Sequence, residues 1–276
     1  VADGILILKH DIIDNILSRR IEIRKLRGAP IELSEIPFTI SSGKGIVALV
    51  PPRRARLKYE GVEAGRYRIP CKPLDDMVGE LRGGETILVT GAPYDIGVGS
   101  IAYWAYRMAL DGGRDVAIIS YREDEGSIRR MLDEVKARDP SLADLVDRTK
   151  VITLDPTLLS LEALLSLELS RVSESKPGIT LFLDVDILRY HHKTNPLLLE
   201  RYLRMEKSTL RDLGILALRL ARVRSLDEVS YELPLADVAV IMEDSLSPGG
   251  GRVIVYRSGR RIVESRSSVE HCFIAR

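Results

Sequence analysis

A glycine-rich turn between a strand and a helix contains the residues of this chain best suited to chemistry. The stretch from Glu85 to Leu110 reads ETILVTG, then APYDIGVGS, then IAYWAYRMAL, which is the local order of a phosphate-binding loop. In such a loop, glycines spaced as G-x-x-x-x-G-K-[ST] let backbone N–H groups surround the phosphates. The Lys contacts the β- and γ-phosphates, and the hydroxyl binds Mg²⁺. We therefore interpret this turn as a nucleotide-binding element.

The turn lacks the cation that binds a triphosphate. Gly91 opens the turn, Gly97 and Gly99 close it, and Ser100 is the candidate ligand for Mg²⁺. No Lys or Arg occurs between Gly91 and Tyr106, so the point charge that would contact the phosphates is missing. We expect weak or no ATP hydrolysis, and the sequence leaves open whether ATP and Mg²⁺ bind.

An acidic pair follows a second apolar strand. The segment LFLDVD ends in Asp184 and Asp186. A carboxylate at the carboxyl end of a buried parallel strand can hold Mg²⁺ or its bound water beside a phosphate-binding loop, because doubly wound sheets bind ligands at that edge. A strand end that faces a solvated loop or caps a helix is the alternative. Asp184 is therefore a candidate catalytic and Mg²⁺-binding residue.

Length and composition restrict the class of protein. A chain of 276 residues with 45% apolar content can bury one core of about 220 residues with an appended segment. The net charge of +1 gives no overall field that attracts nucleic acid or anionic membranes. We found neither a signal peptide nor an apolar run of about 20 residues, so we expect a cytoplasmic protein. The absence of Gln and the presence of two Asn favour a heat-adapted source.

The chain contains two cysteines, Cys71 and Cys272. They are too few for a disulfide framework and have no metal-ligand spacing, which suits a reducing compartment. Because free cysteines are commonly buried as small apolar side chains, we expect both to be inert packing residues.

From Leu74 onward, short apolar strands alternate with amphipathic helical stretches. This alternation predicts an α/β fold, with a mostly parallel sheet flanked by helices on both faces. The last strands have no helices between them and predict an antiparallel edge. The expected strands lie at 85–91, 115–120, 150–154, 179–185 and 215–220, and the expected helices near 101–110, 127–136, 158–172 and 197–213.

The beginning of the chain is similar to its end. VADGILIL, a polar turn and a second strand near Arg20 to Gly28 parallel LADVAVIM, a glycine-rich turn and RVIVYR. The two copies lie about 230 residues apart, the length of one domain. We therefore predict that residues 1–55 are the β-rich tail of a preceding domain of the same kind, with a linker around Pro51 to Arg54. Residues 56–276 would form the second, complete domain.

Several segments together resemble one family. KPLDDMVG (72–79) and RGGETILVTGAP (82–93) are similar to the start of a RecA-type ATPase domain of the KaiC family. IISYRED (118–124) resembles its second strand with a pair of Glu residues, and KLRG (25–28) resembles its Lys-x-Arg-Gly element. The resemblance implies a RecA-like fold, ATP and Mg²⁺ as cofactors, and a KaiC-like parent with two RecA-like domains.

The resemblance also implies roles for individual residues. Glu123 is the candidate base that activates the attacking water, because Arg122 occupies the place of the first Glu of the pair. Lys25 and Arg27 are candidate contacts to the γ-phosphate of a neighbouring subunit. The corresponding element of the second domain reads YRSG (256–259), in which Arg257 is the remaining cation and the third candidate contact. A homo-oligomer is implied, and ring, dimer and monomer all remain open.

Two residues of the family pattern are missing from the same site: the Lys of the turn, and the first Glu of the pair, where Arg122 stands. These losses favour a pseudo-ATPase module that serves assembly or regulation in a signalling-type ATPase. One alternative is an atypical active ATPase in which Arg107 or a neighbour's Arg257 replaces the missing Lys. Another is a recombinase paralogue that binds DNA, against which the near-neutral charge argues. The arginines that follow the strand at 215–220 are interpreted as a solvated loop with ion pairs, or alternatively as a phosphate-binding rim; they are Arg219, Arg222 and Arg224.

Overall fold

The structure of the protein is a computed structural model. It describes residues 2–13, 16–31, 34–41, 45–48, 65–93, 95–192, 196–223, 225–243, 251–257, 259–265 and 269–273. The expected linker around Pro51 to Arg54 and residue Arg224 lie outside these ranges. Within the described ranges, no helix combines the length and the apolar character that a membrane crossing requires.

Strands and helices alternate through most of the chain, as the sequence predicted. The strands are β1 (Gly4–Ile13), β2 (Ile16–Leu26), β3 (Glu35–Ser41), β4 (Gly45–Ala48), β5 (Arg66–Tyr67), β6 (Leu81–Arg82), β7 (Thr86–Gly91), β8 (Val116–Ser120), β9 (Lys150–Thr153), β10 (Ile179–Leu183), β11 (Leu216–Arg222), β12 (Val238–Met242), β13 (Arg252–Arg257) and β14 (Arg260–Ser265). The helices are α1 (Lys72–Val78), α2 (Val98–Asp111), α3 (Glu125–Arg138), α4 (Ala143–Asp147), α5 (Leu161–Ser175), α6 (Asp186–His191) and α7 (Pro196–Asp212).

The largest sheet has eight strands in the order β14-β13-β12-β7-β11-β10-β8-β9. The strands from β12 to β9 run parallel, while β13 and β14 form an antiparallel edge. The predicted α/β fold, with its antiparallel edge strands, is therefore confirmed. Leu183 lies beside both Ser120 and Leu220, and Arg222 lies beside Gly91. The carboxyl ends of four parallel strands consequently meet at one edge of the sheet.

Both faces of this sheet are covered by helices. Successive residues of a strand point to opposite faces. Leu181 of β10 therefore joins the core that contains Ile101 of α2, while Phe182 joins the core that contains Leu165 of α5 and Leu203 of α7. All of these side chains are almost completely buried. The near-continuous apolar strands of the sequence thus correspond to a sheet buried on both sides.

One strand ends earlier than the sequence predicted. The expected strand at 179–185 stops at Leu183, because Asp184 adopts a left-handed backbone conformation with φ of 58°. Asp is among the few side chains that tolerate this conformation. The short helix α6, which the sequence did not predict, begins two residues later at Asp186.

The N-terminal residues form a separate antiparallel sheet in the order β1-β2-β3-β4. The sequence predicted a polar turn between the first two strands, but β1 and β2 continue through most of that segment. Cross-strand ion pairs accommodate its charged residues: Lys9 Nζ lies 2.5 Å from Glu22 Oε2, and Arg20 Nη2 lies 2.6 Å from Asp11 Oδ2. That this sheet is the tail of a preceding domain stays a prediction.

The expectation that both cysteines are inert packing residues is wrong. Cys71 and Cys272 form a disulfide, with Cα atoms 5.7 Å apart, a distance typical of such bonds. The bond joins the N-cap of α1 to a short 3-10 helix, Glu270–Cys272, across 201 residues of sequence. Sequence spacing gave no sign of this pairing, because the fold alone brings the two segments together.

Candidate nucleotide site

The carboxyl edge of the parallel strands brings several predicted site residues together. Gly91 ends β7, and Arg222 ends β11 directly beside it. Asp184 follows β10, and Glu123 follows β8 three residues after the strand ends. This edge is where doubly wound sheets bind ligands. Gly91, Glu123 and Asp184 thus lie at one edge of the sheet beside Arg222, which the sequence analysis placed in a solvated loop or a phosphate-binding rim, and their roles stay predictions.

The turn after β7 ends in a helix N-terminus that is capped by another part of the chain. The N-cap residue of α2 is Gly97, which has no side chain to cap the helix. Its backbone N–H donates to the carbonyl oxygen of Phe273 at 3.0 Å. A Cβ atom placed on Gly97 would lie 3.2 Å from that oxygen. Residues 269–273, called here the C-terminal segment, thus approach the turn closely.

Two further contacts fix the C-terminal segment on α2. Trp104 Nε1 donates to the carbonyl oxygen of Cys272 at 3.0 Å. The rings of Trp104 and Phe273 lie 5.1 Å apart between centroids, and Phe273 is completely buried. In nucleotide-binding loops, the N–H groups of such a helix N-terminus bind phosphate. Here the N–H of Gly97 is already hydrogen-bonded to the carbonyl oxygen of Phe273.

Close packing explains the presence of glycine at one of the other two positions of the turn, Gly91, but not at Gly99. A Cβ on Gly91 would lie 2.8 Å from Met242 Cβ and 3.1 Å from Ile96 Cδ1, so glycine permits the close packing of β7 on its surroundings. A Cβ on Gly99 would have as its nearest contact Met131 Cγ, at 3.9 Å. Packing explains Gly91, and nothing in the described structure demands glycine at position 99.

Asp184, the candidate catalytic and Mg²⁺-binding residue, forms an ion pair within the chain. Arg222 Nε donates to Asp184 Oδ1 at 2.7 Å, and the carboxylate is fully buried. Burial alone would lower the pKa of Arg222, but the hydrogen bond to Asp184 and the charge of that carboxylate outweigh burial and raise this pKa above its ordinary value. The guanidinium therefore stays charged beside Asp184.

Two more carboxylates contact Arg222, one at its guanidinium and one at its backbone. Glu123 Oε1 lies 3.8 Å from Arg222 Nη2, and the backbone N–H of Arg222 donates to Asp186 Oδ1 at 3.2 Å. Arg122 Nη2 donates to the other oxygen of Asp186 at 3.0 Å. Burial raises the pKa of Asp186, and the positive charge of Arg122 opposes that shift. The edge is thus a network of two cations and three acidic side chains.

The arrangement of these residues does not fit a complex of ATP with Mg²⁺. A metal ion at Asp184 would have to compete with the guanidinium of Arg222, and a phosphate at Gly97 would have to displace the carbonyl of Phe273. One feature matches the expectation: the hydroxyl of Ser100 is buried and has no hydrogen-bond partner among the described residues. A single unpaired hydroxyl is not sufficient to bind Mg²⁺, which requires several oxygen ligands.

Two candidate trans-acting residues, Lys25 and Arg27, belong to the N-terminal sheet and not to the eight-stranded sheet. Lys25 is near the end of β2, and Arg27 lies in the turn that follows, both in the N-terminal sheet. Arg27 Nη1 lies 3.2 Å from Asp3 Oδ1, and its side chain is largely exposed. Gly28 has φ of 79°, which explains glycine at that position of the turn. The roles of Lys25 and Arg27 in a neighbouring subunit stay predictions.

Two further arginines, considered as replacements for the missing Lys, have partners within the described chain. Arg257 lies at the opposite, amino edge of the parallel strands, where it donates to the carbonyl oxygens of Val78 and Glu80. Arg107 on α2 pairs with two surface carboxylates at 3.5 Å each. Neither guanidinium contacts the turn between Gly91 and Gly97 in the described residues.

A second polar cluster is buried between the sheet and the helices α5 and α7. Arg219, expected in a solvated loop or phosphate-binding rim, is instead buried in β11 and paired with Glu206 of α7. Nearby, the hydroxyls of Tyr121 and Tyr202 each donate to Glu168 Oε2 at 2.5 Å. Burial and the charge of Glu206 raise the pKa of Glu168 to about 8, against the opposing effects of the two tyrosine hydrogen bonds and Arg219. Glu168 is therefore largely protonated at neutral pH.

The fold and its carboxyl edge define the class first: the protein has a RecA-like α/β fold with a loop of the P-loop type after the central strand. A family model described as ATPase: KaiC matches residues 1–53. This match covers the N-terminal sheet, 53 of the 276 residues, and shows that this part of the chain is similar to the KaiC family. No curated protein is significantly similar in sequence to this chain.

Proposed function

We propose that this chain is a KaiC-like pseudo-ATPase module that retains the RecA-like fold for assembly or regulation and does not turn over ATP efficiently. The ion pair between Arg222 and Asp184 carries the proposal. It places a fixed cation against the fully buried carboxylate of Asp184 at the carboxyl edge. The absence of a Lys in the turn and the Phe273 carbonyl on Gly97 support the same conclusion.

The energy of this ion pair indicates why Mg²⁺ would compete poorly. Asp184 is fully buried, and the side chain of Arg222 is 19% exposed. A metal ion at Asp184 would have to replace the guanidinium and its hydrogen bond and lose part of its own hydration, without a loop Lys to help bind the triphosphate.

Calorimetric titration with ATP and Mg²⁺, combined with an assay of phosphate release, tests the proposal. We expect the chain to bind more weakly than about 1 mM and to release no phosphate over many turnovers. Arg148→Ala is the matched control, because Arg148 pairs with the exposed carboxylate of Asp115 just before the amino end of β8, at the opposite edge of the parallel strands. Tight binding with multiple turnover by the unmodified chain would refute the pseudo-ATPase proposal.

One observation favours a second candidate, an atypical active ATPase. Arg222 lies within the chain's own carboxyl edge, 3.8 Å from Glu123, and is better placed than Arg107 or Arg257 to act as a substitute cation. In that case Asp184→Ala, Glu123→Ala and Arg222→Ala would each abolish phosphate release, whereas Arg148→Ala would not. Release that persists in the Asp184 and Glu123 variants would exclude this candidate as well.

We also propose that the chain acts as a homo-oligomer. The sequence resemblance to the KaiC family implies an assembly with nucleotide between subunits, of which a hexameric ring is one form, and the family match over residues 1–53 supports that resemblance. Within such an assembly, Lys25 and Arg27 would contact the phosphates of a neighbouring subunit's first domain. DNA binding as a recombinase paralogue has no supporting observation among the described residues.

A further inference from the structure

The disulfide is part of a three-residue cluster that also contains a histidine. His271 Nε2 lies 3.5 Å from Cys71 Sγ and 3.9 Å from Cys272 Sγ. The three donor atoms all lie within 4.8 Å of one another. Both cysteines are buried, at 8% and 5% exposure, while His271 is exposed. Two buried sulfurs and one imidazole therefore converge at the edge of α1.

We propose that, when the disulfide is reduced, Cys71, Cys272 and His271 form a binding site for Zn²⁺. Thiolate sulfur and imidazole nitrogen are common zinc ligands, with bond lengths of about 2.3 Å and about 2.0–2.1 Å. A tetrahedral ion with these bonds places sulfur and nitrogen about 3.6 Å apart. The observed separations of 3.5 and 3.9 Å already match these two edges of the tetrahedron.

The third edge requires the sulfurs to separate to about 3.8 Å, which follows from the same bond lengths. A dithiol reductant supplies the two electrons and two protons that convert the disulfide into two thiols. Zn²⁺ binding then releases the thiol protons, because the thiolate is the ligand. Disulfide and metal site are therefore mutually exclusive states of the same two cysteines.

Three protein ligands leave one tetrahedral position for water or another donor. His271 is exposed, so we place this open position on the solvent side of the cluster. The buried sulfurs form the inner side, beside the packed residues of α1 and α2. Such a site admits the ion from solvent without rearrangement of the core.

The cluster would hold the C-terminal segment in either redox state, through the disulfide when oxidised and through Zn²⁺ when reduced. The carbonyl of Cys272 accepts from Trp104, and the carbonyl of Phe273 accepts from the Gly97 N–H. A zinc ion at the cluster would keep both contacts in place after the disulfide is broken. In the reduced, metal-free chain, only noncovalent contacts hold this segment on α2.

Titration of the reduced, chelator-treated chain with Co²⁺ and then Zn²⁺ tests the proposal. We expect one equivalent of Co²⁺ to produce the visible absorption of a tetrahedral thiolate site, and one equivalent of Zn²⁺ to remove it. The oxidised chain should produce no such absorption. A rise in melting temperature of the reduced chain on addition of Zn²⁺ is the second readout, because an ion that binds only the folded state stabilises it.

His271→Ala is the decisive variant, because it keeps both cysteines and should still form the disulfide. We expect it to weaken Zn²⁺ binding by at least about tenfold, as should Cys71→Ser. His10→Ala is the matched control, since His10 is an exposed histidine of β1. The proposal is overturned if the reduced chain binds no Co²⁺ or Zn²⁺, or if His271→Ala and Cys71→Ser bind them as the unmodified chain does.

Discussion

At the scale of single residues, full burial and the negative charge of Glu206 raise the pKa of Glu168, against the opposing effect of hydrogen bonds from two tyrosines. Two tyrosine hydroxyls donate to one of its oxygens, and Glu206 lies close enough to add negative charge. The pKa of Glu168 rises from 4.5 to about 8. The folded chain therefore keeps a proton that the unfolded chain loses above about pH 4.5.

This difference predicts that stability falls as the pH rises. Between about pH 4.5 and about pH 8 the folded state binds one more proton than the unfolded state. The free energy of unfolding should therefore decrease by about 1.4 kcal/mol per pH unit from this group. Glu168→Gln keeps an acceptor for the tyrosines and has no carboxyl proton, so chemical denaturation at several pH values should show a flatter dependence.

Glu134→Gln is the control for this measurement, because Glu134 is exposed on α3. Its pH dependence should follow that of the unmodified chain. The interpretation of Glu168 is wrong if Glu168→Gln and the unmodified chain lose stability in parallel from pH 5 to pH 8.

At the scale of elements, the disulfide connects two segments that are distant in sequence. Cys71 caps α1, and Cys272 ends the 3-10 helix that precedes Phe273. The closed loop spans 201 residues, and a long loop loses much conformational freedom in the unfolded state when it is cross-linked. The bond thereby stabilises the contact between the C-terminal segment and α2.

We expect Cys71→Ser to lower the free energy of unfolding by about 2–5 kcal/mol under oxidising conditions. The measurement is denaturant unfolding of both chains with and without a dithiol reductant, in the presence of a chelator. The reductant should reduce the stability of the unmodified chain to that of the variant. Equal stability of the two chains without reductant would show that the disulfide contributes nothing.

Much of the parallel sheet could be predicted from the sequence, because its buried strands are short apolar runs separated by amphipathic helices. The turn after β7 and the position of Asp184 at the carboxyl edge follow from the same pattern. The helix α6 could not be predicted, since it depends on the left-handed backbone of Asp184. The pairings of Arg222 with Asp184 and of Cys71 with Cys272 also depend on contacts between segments far apart in sequence.

At the scale of the whole molecule, the N-terminal sheet exposes apolar side chains on one face. Leu6, Leu8 and Ile12 are 60%, 57% and 74% exposed, and their even spacing along β1 places them on the same side of the strand. An exposed row of this kind is typical of a surface that another protein covers. It is consistent with the proposed homo-oligomer.

We expect light scattering of the purified chain to give a mass above the 30.8 kDa of a monomer. Leu8→Lys combined with Ile12→Lys should shift the mass toward the monomer, because charges would be buried in the interface. Leu158→Lys, at an exposed site outside this sheet, should leave the mass unchanged. A monomeric unmodified chain would contradict the proposal, and ATP with Mg²⁺ should not change the result.

The ion pair at the carboxyl edge also has an evolutionary consequence. A single substitution that reintroduces Lys into the turn would add a second cation near a carboxylate that Arg222 already neutralises. Replacing Arg222 first would leave Asp184 buried and charged without a counter-ion. For the proposed pseudo-ATPase, each first step toward an active enzyme would therefore be unfavourable by itself, so a gain of activity would require coordinated changes.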